Sequence, residues 1–460
     1  MMKHAIKLLV IFFICALMFT ACGGGGGGSS SDGGVADSTP PTIPANLLAS
    51  AASSSEINLS WSASTDAVGV AGYKVYRNGV YLKAVAAIST SDTGLIGNVQ
   101  YCYKVSAYDA AGNHSAQSTE ACAMTPTGGA ADQMGGSIQG TPLTLLTPSV
   151  STLASGGFNY PQGITTDRTN VYVADTANHI IKKIVISTGA VTTFAGTAGL
   201  AGSTDATGAA ARFNLPNGIV TDGTNLYVAD GLNHTIRKIV ISTGAVTTFA
   251  GTAGLAGSTD ATGAAARFNY PNGITTDRIY LYVADNGNHT IRKIVISTVA
   301  VTTFAGTAGL FGSDNGVGAV ARFNYPNGIT MDGTYLYVTD TGNHTIRKIV
   351  IANQEVTTLA GTAGLTGSTD ATGADARFYE SKGITTDGTN LYVADTRNHT
   401  IRKIVIANQE VTTLAGTAGL TGSTDAYGAD ARFNWPNGIT TDGNSLYVAD
   451  TNNNSIRQIQ

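Results

Sequence analysis

A repeat of constant length constrains the fold of this chain more than any other feature. From residue 149 to the end, an aromatic marker recurs at positions that differ by 55, namely Phe158, Phe213, Phe268, Phe323, Phe378 and Phe433. We number these copies repeats 1 to 6. In repeat 4, four β-rich segments are predicted as strands a to d, at 328–331, 336–340, 345–351 and 356–360, with an Asp-Gly hairpin signal between a and b. The sequence therefore predicts an all-β array of six four-stranded sheets arranged around an axis.

The strings Tyr-Val-Ala-Asp and Asn-His-Thr-Ile-Arg-Lys-Ile recur within these copies. They make residues 149–460 similar to NHL repeats, and the resemblance implies a six-bladed NHL β-propeller. The last repeat ends at Gln460, after its strand c, whereas Ser149–Ala154 matches the strand d segment Glu410–Ala415. We therefore expect the N-terminal segment to supply the missing strand d and to close the array without open edges.

Residues 39–126 show short alternating strands separated by turn signals. A half-buried strand is predicted where apolar residues alternate with polar ones, at Ile57, Leu59 and Trp61. Asn78-Gly79 is a hairpin signal. Together with the proline-rich entry at 40–44, these features resemble a fibronectin type III domain. The resemblance implies a β-sandwich that acts as a spacer or an adhesive module and has no chemistry of its own.

Two cysteines lie in the last two predicted strands of this segment. Cys102 and Cys122 are centred on position 112, the middle of the turn at 109–115. In a symmetric hairpin they lie opposite each other. Because an exported protein meets an oxidising compartment, we predict a disulfide between them.

The N-terminus has the order of an export signal. Two lysines precede an apolar run, and small residues then lead to Cys22. Phe19–Cys22 resembles the bacterial lipobox, which implies a lipoprotein signal peptide at 1–22 and a lipidated Cys22. An uncleaved membrane anchor is the alternative reading. A flexible Gly/Ser linker is predicted at 23–38 and a second linker at 127–148.

Charge argues against one class of partner. The formal net charge is −4, and only 12% of the residues are charged. Nucleic-acid binding needs a clustered positive surface. We therefore expect no nucleic-acid partner, contact with a membrane through the lipid anchor alone, and a monomer.

The position before the proline at the start of strand a varies among otherwise similar repeats. We call its six members the ring residues: Tyr160, Leu215, Tyr270, Tyr325, Glu380 and Trp435. Such variation predicts an exposed ring near the axis, where aromatic side chains stack on sugars or hold apolar groups. Repeat 5 adds charges at Glu380 and Lys382, which would orient an asymmetric ligand. We take Tyr160, Tyr270, Tyr325, Glu380, Lys382 and Trp435 as candidate ligand-binding residues. Packing between repeats is the alternative role for the aromatic members.

Metal sites are considered and set aside. Five histidines recur at the turn between strands b and c, namely His179, His234, His289, His344 and His399. Neighbouring repeats are too far apart there to share a zinc ion, so each histidine is predicted to pack against its own repeat. The aspartates ahead of this turn are predicted to cap it. Gly-Ser-Thr-Asp stretches such as Gly367–Asp370 offer oxygen ligands to calcium but lack a full loop signature. No cofactor is expected.

Catalysis requires unlike groups to converge at one point, whereas similar repeats present the same groups around an axis. The sequence favours a non-catalytic cell-surface lipoprotein that uses its repeats as a binding or scaffolding platform for protein or carbohydrate. The expected location is the cell envelope, in the bacterial outer membrane or at the cell surface. The alternative is an enzyme, because some NHL propellers are metal-dependent lyases or hydrolases.

Overall fold

The computed structural model describes residues 37–53, 56–93, 95, 100–125, 143, 145 and 147–460. These residues form β-strands and short 3-10 turns, and this part of the chain contains no α-helix. No described element has the length and hydrophobicity of a membrane-spanning helix. The predicted signal peptide and Cys22, together with most of both predicted linkers, lie outside the described residues.

The segment before the repeats forms two antiparallel sheets. In chain order its strands are β1 (Ala45–Ser53), β2 (Glu56–Ser62), β3 (Val70–Arg77), β4 (Val80–Val85), β5 (Ser89–Thr93), β6 (Gln100–Asp109) and β7 (Ala121–Met124). One sheet has the order β1-β2-β5 and the other β4-β3-β6-β7. Their inner faces share one hydrophobic core. In it the rings of Trp61 and Tyr73 meet edge to face, with their centroids 5.4 Å apart.

Turn chemistry and a disulfide fix the second of these sheets. Asn78 and Gly79 connect β3 to β4 with φ angles of 50° and 80°, a left-handed conformation that Asn and Gly tolerate best. On β6 and β7, Cys102 pairs directly with Cys122. The predicted disulfide joins them.

The six repeats form six antiparallel sheets with the strand order a-b-c-d. Strand a spans Pro161–Thr166, Pro216–Thr221, Pro271–Thr276, Pro326–Met331, Ile384–Thr386 and Pro436–Thr441. Strand b spans Asn170–Asp175, Asn225–Asp230, Tyr280–Asp285, Tyr335–Asp340, Asn390–Asp395 and Leu446–Asp450. Strand c spans Ile180–Val185, Thr235–Val240, Thr290–Val295, Thr345–Val350, Thr400–Val405 and Ser455–Ile459. Strand d spans Val191–Ala195, Ala245–Ala250, Ala300–Ala305, Glu355–Ala360, Val411–Ala415 and, for repeat 6, Ser149–Ser155.

Short elements complete the sheets. A 3-10 turn joins strands b and c, at Thr176–Asn178, Gly231–Asn233, Asn286–Asn288, Thr341–Asn343, Thr396–Asn398 and Thr451–Asn453. The connection from strand d to the next strand a carries another, at Gly208–Ala210, Gly263–Ala265, Gly318–Val320, Gly373–Asp375 and Gly428–Asp430. Four connections also add a two-residue strand at a sheet edge, at Ala206–Thr207, Ala261–Thr262, Gly316–Val317 and Ala426–Tyr427.

The two ends of the repeat region meet in one sheet. Ser149–Ser155 pairs antiparallel with strand c of repeat 6, so that Ile459 faces Val150 and Ser455 faces Ser155. The strand pairing predicted from the match between Ser149–Ala154 and Glu410–Ala415 is therefore present. It leaves no unpaired strand c at the end of the array.

Strand a of each repeat packs against strand a of the next, and the last packs against the first. Six glycines permit this approach. A Cβ atom on any of them would lie 2.0–2.2 Å from a backbone carbonyl oxygen of the next repeat. They are Gly163, Gly218, Gly273, Gly328, Gly383 and Gly438. The six sheets therefore form a propeller-like ring. Only glycine fits at these six contacts between neighbouring strands a.

Hydrophobic clusters lie between neighbouring sheets. Each joins apolar residues of one repeat to those of the next, as where Tyr282 and Ile291 pack with Ile329 and Leu336. The central tyrosine of strand b, such as Tyr282 in repeat 3, is fully buried in all six repeats. The ring is thus stabilised between sheets as well as within each sheet, as in repeat architectures generally.

Candidate functional site

The ring residues share one unusual backbone conformation. All six have a left-handed φ of 47–58°. A protein rarely places aromatic or branched residues there, because the Cβ atom crowds the backbone. The conformation turns the chain sharply into strand a. The six side chains therefore have equivalent starting positions around the axis, whatever their identity.

A hydrogen bond from the previous repeat holds each ring residue. The backbone N–H of Tyr270 donates to Nδ1 of His234 at 3.0 Å, and that of Trp435 donates to Nδ1 of His399 at 3.2 Å. The same bond joins Leu215, Tyr325 and Glu380 to the histidines of their preceding repeats. For Tyr160 the acceptor is Oδ1 of Asn454, at 2.8 Å. The prediction that each histidine packs against its own repeat is therefore wrong, since each one links two repeats.

Burial lowers the pKa of these five imidazoles. Because Nδ1 accepts a hydrogen bond, the neutral ring carries its proton on Nε2. The histidines thus have a structural role at the junction between repeats, with Nδ1 occupied by a backbone N–H.

The aspartates at the end of strand b also act differently from the prediction. Asp230 makes no hydrogen bond that caps the following turn. Its Oδ1 accepts the backbone N–H of Asn214, and its Oδ2 accepts Arg237 at 2.9 Å. Burial raises the pKa of Asp230 to about 6, so the carboxyl group is ionised at neutral pH and pairs with the guanidinium. These aspartates therefore fix the connection between strand d and strand a.

The candidate calcium ligands take part in the same network. Arg402 is fully buried, and its Nη2 donates to Oδ1 of Asp370 at 2.6 Å. Both oxygens of Asp370 also accept hydrogen bonds from Thr413. The carboxylate that the Gly-Ser-Thr-Asp stretch offers to calcium is thus already engaged by protein donors.

The connections and the turns between strands b and c share one face of the ring. In repeat 1 the backbone N–H of Gly199, on the connection, donates to the carbonyl of Asn178, on the turn. We call this side the connection face. The histidine bonds place the ring residues on it as well. Below them, at the axis, lies a cavity of about 120 Å³ lined by the six strands a.

Polar side chains form a collar where this cavity meets the connection face. They stand two positions after the ring residues: Gln162, Asn217, Asn272, Asn327 and Asn437 line the cavity, and Lys382 holds the equivalent position in repeat 5 beside the lining residue Gly383. Nδ2 of Asn437 reaches Oε1 of Gln162 at 3.4 Å. Five collar positions carry a neutral amide, and repeat 5 alone carries a charge. The collar therefore offers hydrogen-bond donors and acceptors with one cation among them.

Tyrosines dominate one part of the ring. Burial raises the pKa of Tyr160, and the nearby phenol of Tyr270 adds to this shift. Tyr325 is 53% exposed, and its ring meets that of His289 edge to face with the centroids 4.6 Å apart. His289 in turn contacts Phe311, which is 70% exposed. The aromatic surface thus extends from the axis outward.

Charged side chains near the ring residues concentrate in repeat 5, beside Trp435 of repeat 6. Arg397 donates from Nε to Oε2 of Glu380 at 2.8 Å, and its guanidinium lies 4.9 Å from the ring centroid of Trp435. Nζ of Lys382 lies 5.9 Å from the same centroid. The structure therefore brings together three of the predicted residues, Glu380, Lys382 and Trp435. They form one cluster, which we call the repeat 5 cluster.

Arg397 belongs to this cluster but was not predicted from the sequence. Its place in the repeat marks it, because a charged residue at this position occurs in repeat 5 alone. The second residue of the turn between strands b and c is uncharged in every other repeat: Ala177, Leu232, Gly287, Gly342 and Asn452. Sequence reasoning also missed a set of half-exposed leucines on the connections, at Leu200, Leu255, Leu310, Leu365 and Leu420. Their regular spacing of 55 residues suggested only the repeat itself.

One further group of acidic residues lies outside the repeats. Carboxylate oxygens of Asp37, Asp66 and Asp109 lie within 4.8 Å of one another. Oδ1 of Asp66 accepts two backbone N–H groups. Asp109 accepts the backbone N–H of Asn113 through Oδ1 and its side-chain amide through Oδ2. Oδ1 of Asp37 accepts hydrogen bonds from Thr39, so protein donors engage four of the six oxygens, while Oδ2 of Asp37 is buried without a hydrogen-bond partner among the described residues.

Comparison with known proteins supports the repeat assignment. Residues 433–459 match the NHL repeat model. The human NHL repeat-containing protein 2 is 30% identical over 293 residues, which are 56% of this chain and 40% of that protein. Chitinase Chi52 of Paenibacillus xylanexedens is 47% identical over 92 residues, which are 20% of this chain and 18% of the chitinase. The chain spans less than half the length of these curated relatives.

A solved structure shows the same overall fold. An auxiliary nutrient binding protein from Bacteroides thetaiotaomicron superposes with a TM-score of 0.52 and 16% sequence identity. The superposition covers 92% of this chain and 98% of that one. At this identity the likeness concerns the fold alone. Together, the six sheets and these neighbours identify the C-terminal region as a propeller-like array, and the match at 433–459 identifies an NHL repeat within it.

Proposed function

We propose that this protein is a non-catalytic binding platform of the bacterial cell envelope, in which a fibronectin type III domain precedes a six-bladed NHL propeller. The ligand, a carbohydrate or a protein, binds the connection face around the axis. A lipidated Cys22 tethers the chain to the outer membrane or the cell surface. The N-terminal linker then gives the two folded parts freedom to reach a ligand away from the membrane.

One observation carries the proposal. The six ring residues have the same left-handed backbone, and each is held by a hydrogen bond from the previous repeat. Only their side chains differ. A constant framework with variable, partly exposed side chains is what a recognition surface requires, because the scaffold stays rigid while each position contacts a different part of the ligand.

The architecture supports the same conclusion. The two small sheets at 45–124 pack as two layers, and the six glycines allow the strands a of neighbouring repeats to approach closely around the axis. Two of the similar proteins have names that refer to nutrients or polysaccharides, namely the auxiliary nutrient binding protein and the chitinase. Envelope proteins that capture such molecules need a binding surface and a tether.

The experiment is capture of ligands by the purified full-length protein. A glycan array and a pull-down from envelope extracts, read by mass spectrometry, should return bound molecules without chemical conversion. Metal analysis of the same sample tests the alternative, a metal-dependent lyase or hydrolase. Stoichiometric metal together with turnover of a captured glycan would contradict a non-catalytic platform.

A further inference from the structure

Repeat 5 differs from the other repeats at its collar position. Where the other five repeats place Gln or Asn, it places Lys382. A lysine side chain that is largely withdrawn from water normally has an anionic partner, because an unpaired buried charge is costly. The surroundings of Lys382 therefore show whether the protein itself supplies that partner.

Glu380 is the carboxylate nearest to this lysine, and it is already engaged. Its Oε2 accepts Nε of Arg397 at 2.8 Å. Among the described residues, Nζ of Lys382 has no hydrogen bond or ion pair, and it lies 5.9 Å from the ring centroid of Trp435. Burial lowers the pKa of Lys382, the negative charge of Glu380 opposes this shift, and the positive charge of Arg397 adds to it.

The guanidinium of Arg397 also has donors without a hydrogen-bond partner among the described residues. Nε pairs with Glu380, and neither Nη nitrogen donates to any described residue. The guanidinium lies 4.9 Å from the ring centroid of Trp435. Lys382 and Arg397 thus flank the same indole, with one carboxylate for two cations, so the cluster carries a net charge of +1.

We propose that Lys382 and Arg397 form a carboxylate subsite beside Trp435, and that the ligand of the connection face is an acidic oligosaccharide. This inference rests on the proposed function, for which it names the class of ligand. The carboxylate accepts hydrogen bonds from Nζ of Lys382 and from the Nη nitrogens of Arg397. The sugar ring stacks on the indole, and its hydroxyl groups face the amides of the collar.

The arrangement favours a saccharide over an acidic peptide. The charged cluster occupies one side of the axis, while the remaining ring and collar offer tyrosines and neutral amides. Flat aromatic faces and amide groups match the apolar faces and hydroxyl groups of successive sugar units. Specific recognition of a peptide backbone would use a sheet edge or an apolar groove, and the strands a that form the sheet edges at the axis pack closely against one another around the ring.

The experiment compares carboxylated and neutral glycans on the full-length protein. An array of uronic-acid, sialic-acid and neutral oligosaccharides identifies the bound class. Any acidic glycan that binds is then compared with its methyl ester, which keeps the size and removes the charge. The expected result is binding of the acid and at least 10-fold weaker binding of the ester, since hydrogen bonds to charged groups contribute about 1.5–3 kcal/mol.

The matched variant is Lys382→Asn, because Asn occupies the same position in four other repeats. It should weaken binding of the acid about 10-fold or more and leave binding of the ester unchanged. Arg397→Gln should act in the same direction. Lys403→Gln, which removes a lysine from strand c of the same repeat, is the control and should have no effect.

The outcomes separate the two proposals. Binding of neutral glycans that is insensitive to Lys382→Asn but lost in Trp435→Leu overturns the carboxylate subsite and leaves the binding face in place. Capture of acidic peptides without any acidic glycan overturns the saccharide assignment. If no glycan or protein binds, or if bound ligands are insensitive to changes at the ring residues, both proposals fail.

Discussion

The histidines that link neighbouring repeats should make the ring sensitive to acid. Each accepts a backbone N–H through Nδ1, as His344 does from Glu380 at 3.2 Å. A protonated imidazole has two N–H groups and no acceptor, so protonation places two donors against each other. Asn454 fulfils the same role in repeat 6, with φ of 50° and an Oδ1 acceptor that does not titrate in this range. The chain itself therefore supplies the test substitution, His→Asn at positions 179, 234, 289, 344 and 399.

The direction of the pH dependence follows from the pKa shifts. Burial holds the pKa of each folded-state imidazole below the value of about 6.5 in the unfolded chain. As the pH falls through 6.5, the unfolded chain therefore binds protons before the folded chain does. The contribution of these histidines to stability is fully present above pH 6.5 and is lost progressively below it.

The magnitude comes from the hydrogen bonds. Losing one such bond, with its N–H left unsatisfied, costs about 1 kcal/mol or more, so five junctions contribute about 5 kcal/mol at full protonation. The fivefold His→Asn variant should match the wild type within about 1 kcal/mol at pH 8. At pH 5 it should be several kcal/mol more stable. The buried aspartates with raised pKa are common to both proteins and cancel in this comparison.

Urea unfolding of both proteins, followed by circular dichroism at pH 5, 6, 7 and 8, measures the effect. The free energies of unfolding should diverge as the pH falls. His114→Asn, at a histidine in the first domain, is the control and should leave the pH dependence unchanged. Parallel pH profiles for the wild type and the fivefold variant would refute the assigned role of the histidines.

Three further predictions concern closure of the ring and export of the chain. Gly273→Ala places a Cβ atom 2.2 Å from the carbonyl oxygen of Asn327 and should lower the free energy of unfolding by about 2–3 kcal/mol. The control Gly254→Ala meets nothing within 4 Å, and its φ of 77° should lower the free energy of unfolding by about 1 kcal/mol. Equal costs in thermal unfolding would contradict the close approach at the axis. Deletion of 149–154 should expose strand c of repeat 6 and cause aggregation or a large drop in Tm; unchanged melting of a monomer would show that closure is dispensable. Cys22→Ala should abolish fatty-acid labelling and release the protein from membranes, and a variant still labelled or membrane-bound would exclude lipidation at Cys22.

The repeat period and the turn residues predicted much of the fold. The segments predicted for strands a to d of repeat 4 agree with the observed strands within two residues at each end. The match between Ser149–Ala154 and Glu410–Ala415 predicted the observed strand pairing. These features depend on local patterns and on copies that can be aligned within one sequence, so no partner or long-range packing had to be known.

Contacts between repeats were harder to predict from the sequence. The bond from Leu215 to His179 joins residues 36 positions apart, and nothing in the local sequence marks the histidine as an acceptor for the next repeat. The same is true of the ion pair between Arg402 and Asp370, which engages a carboxylate that the sequence offers as a calcium ligand. Arg397 could have been found, because it is the only charged residue at its position among six aligned turns.

The central claim is that the connection face binds the ligand, and binding by two ring variants tests it most directly. Leu215 has the same left-handed backbone conformation in repeat 2. Trp435→Leu and Tyr325→Leu therefore remove an aromatic side chain while the backbone conformation is kept. For the molecule captured by the full-length protein, each should raise Kd about 30-fold, since a central aromatic anchor contributes about 2 kcal/mol. Thr334→Ala, at the exposed turn between strands a and b, should leave Kd unchanged. Equal effects of all three variants, or no effect of the two ring variants, would contradict the account.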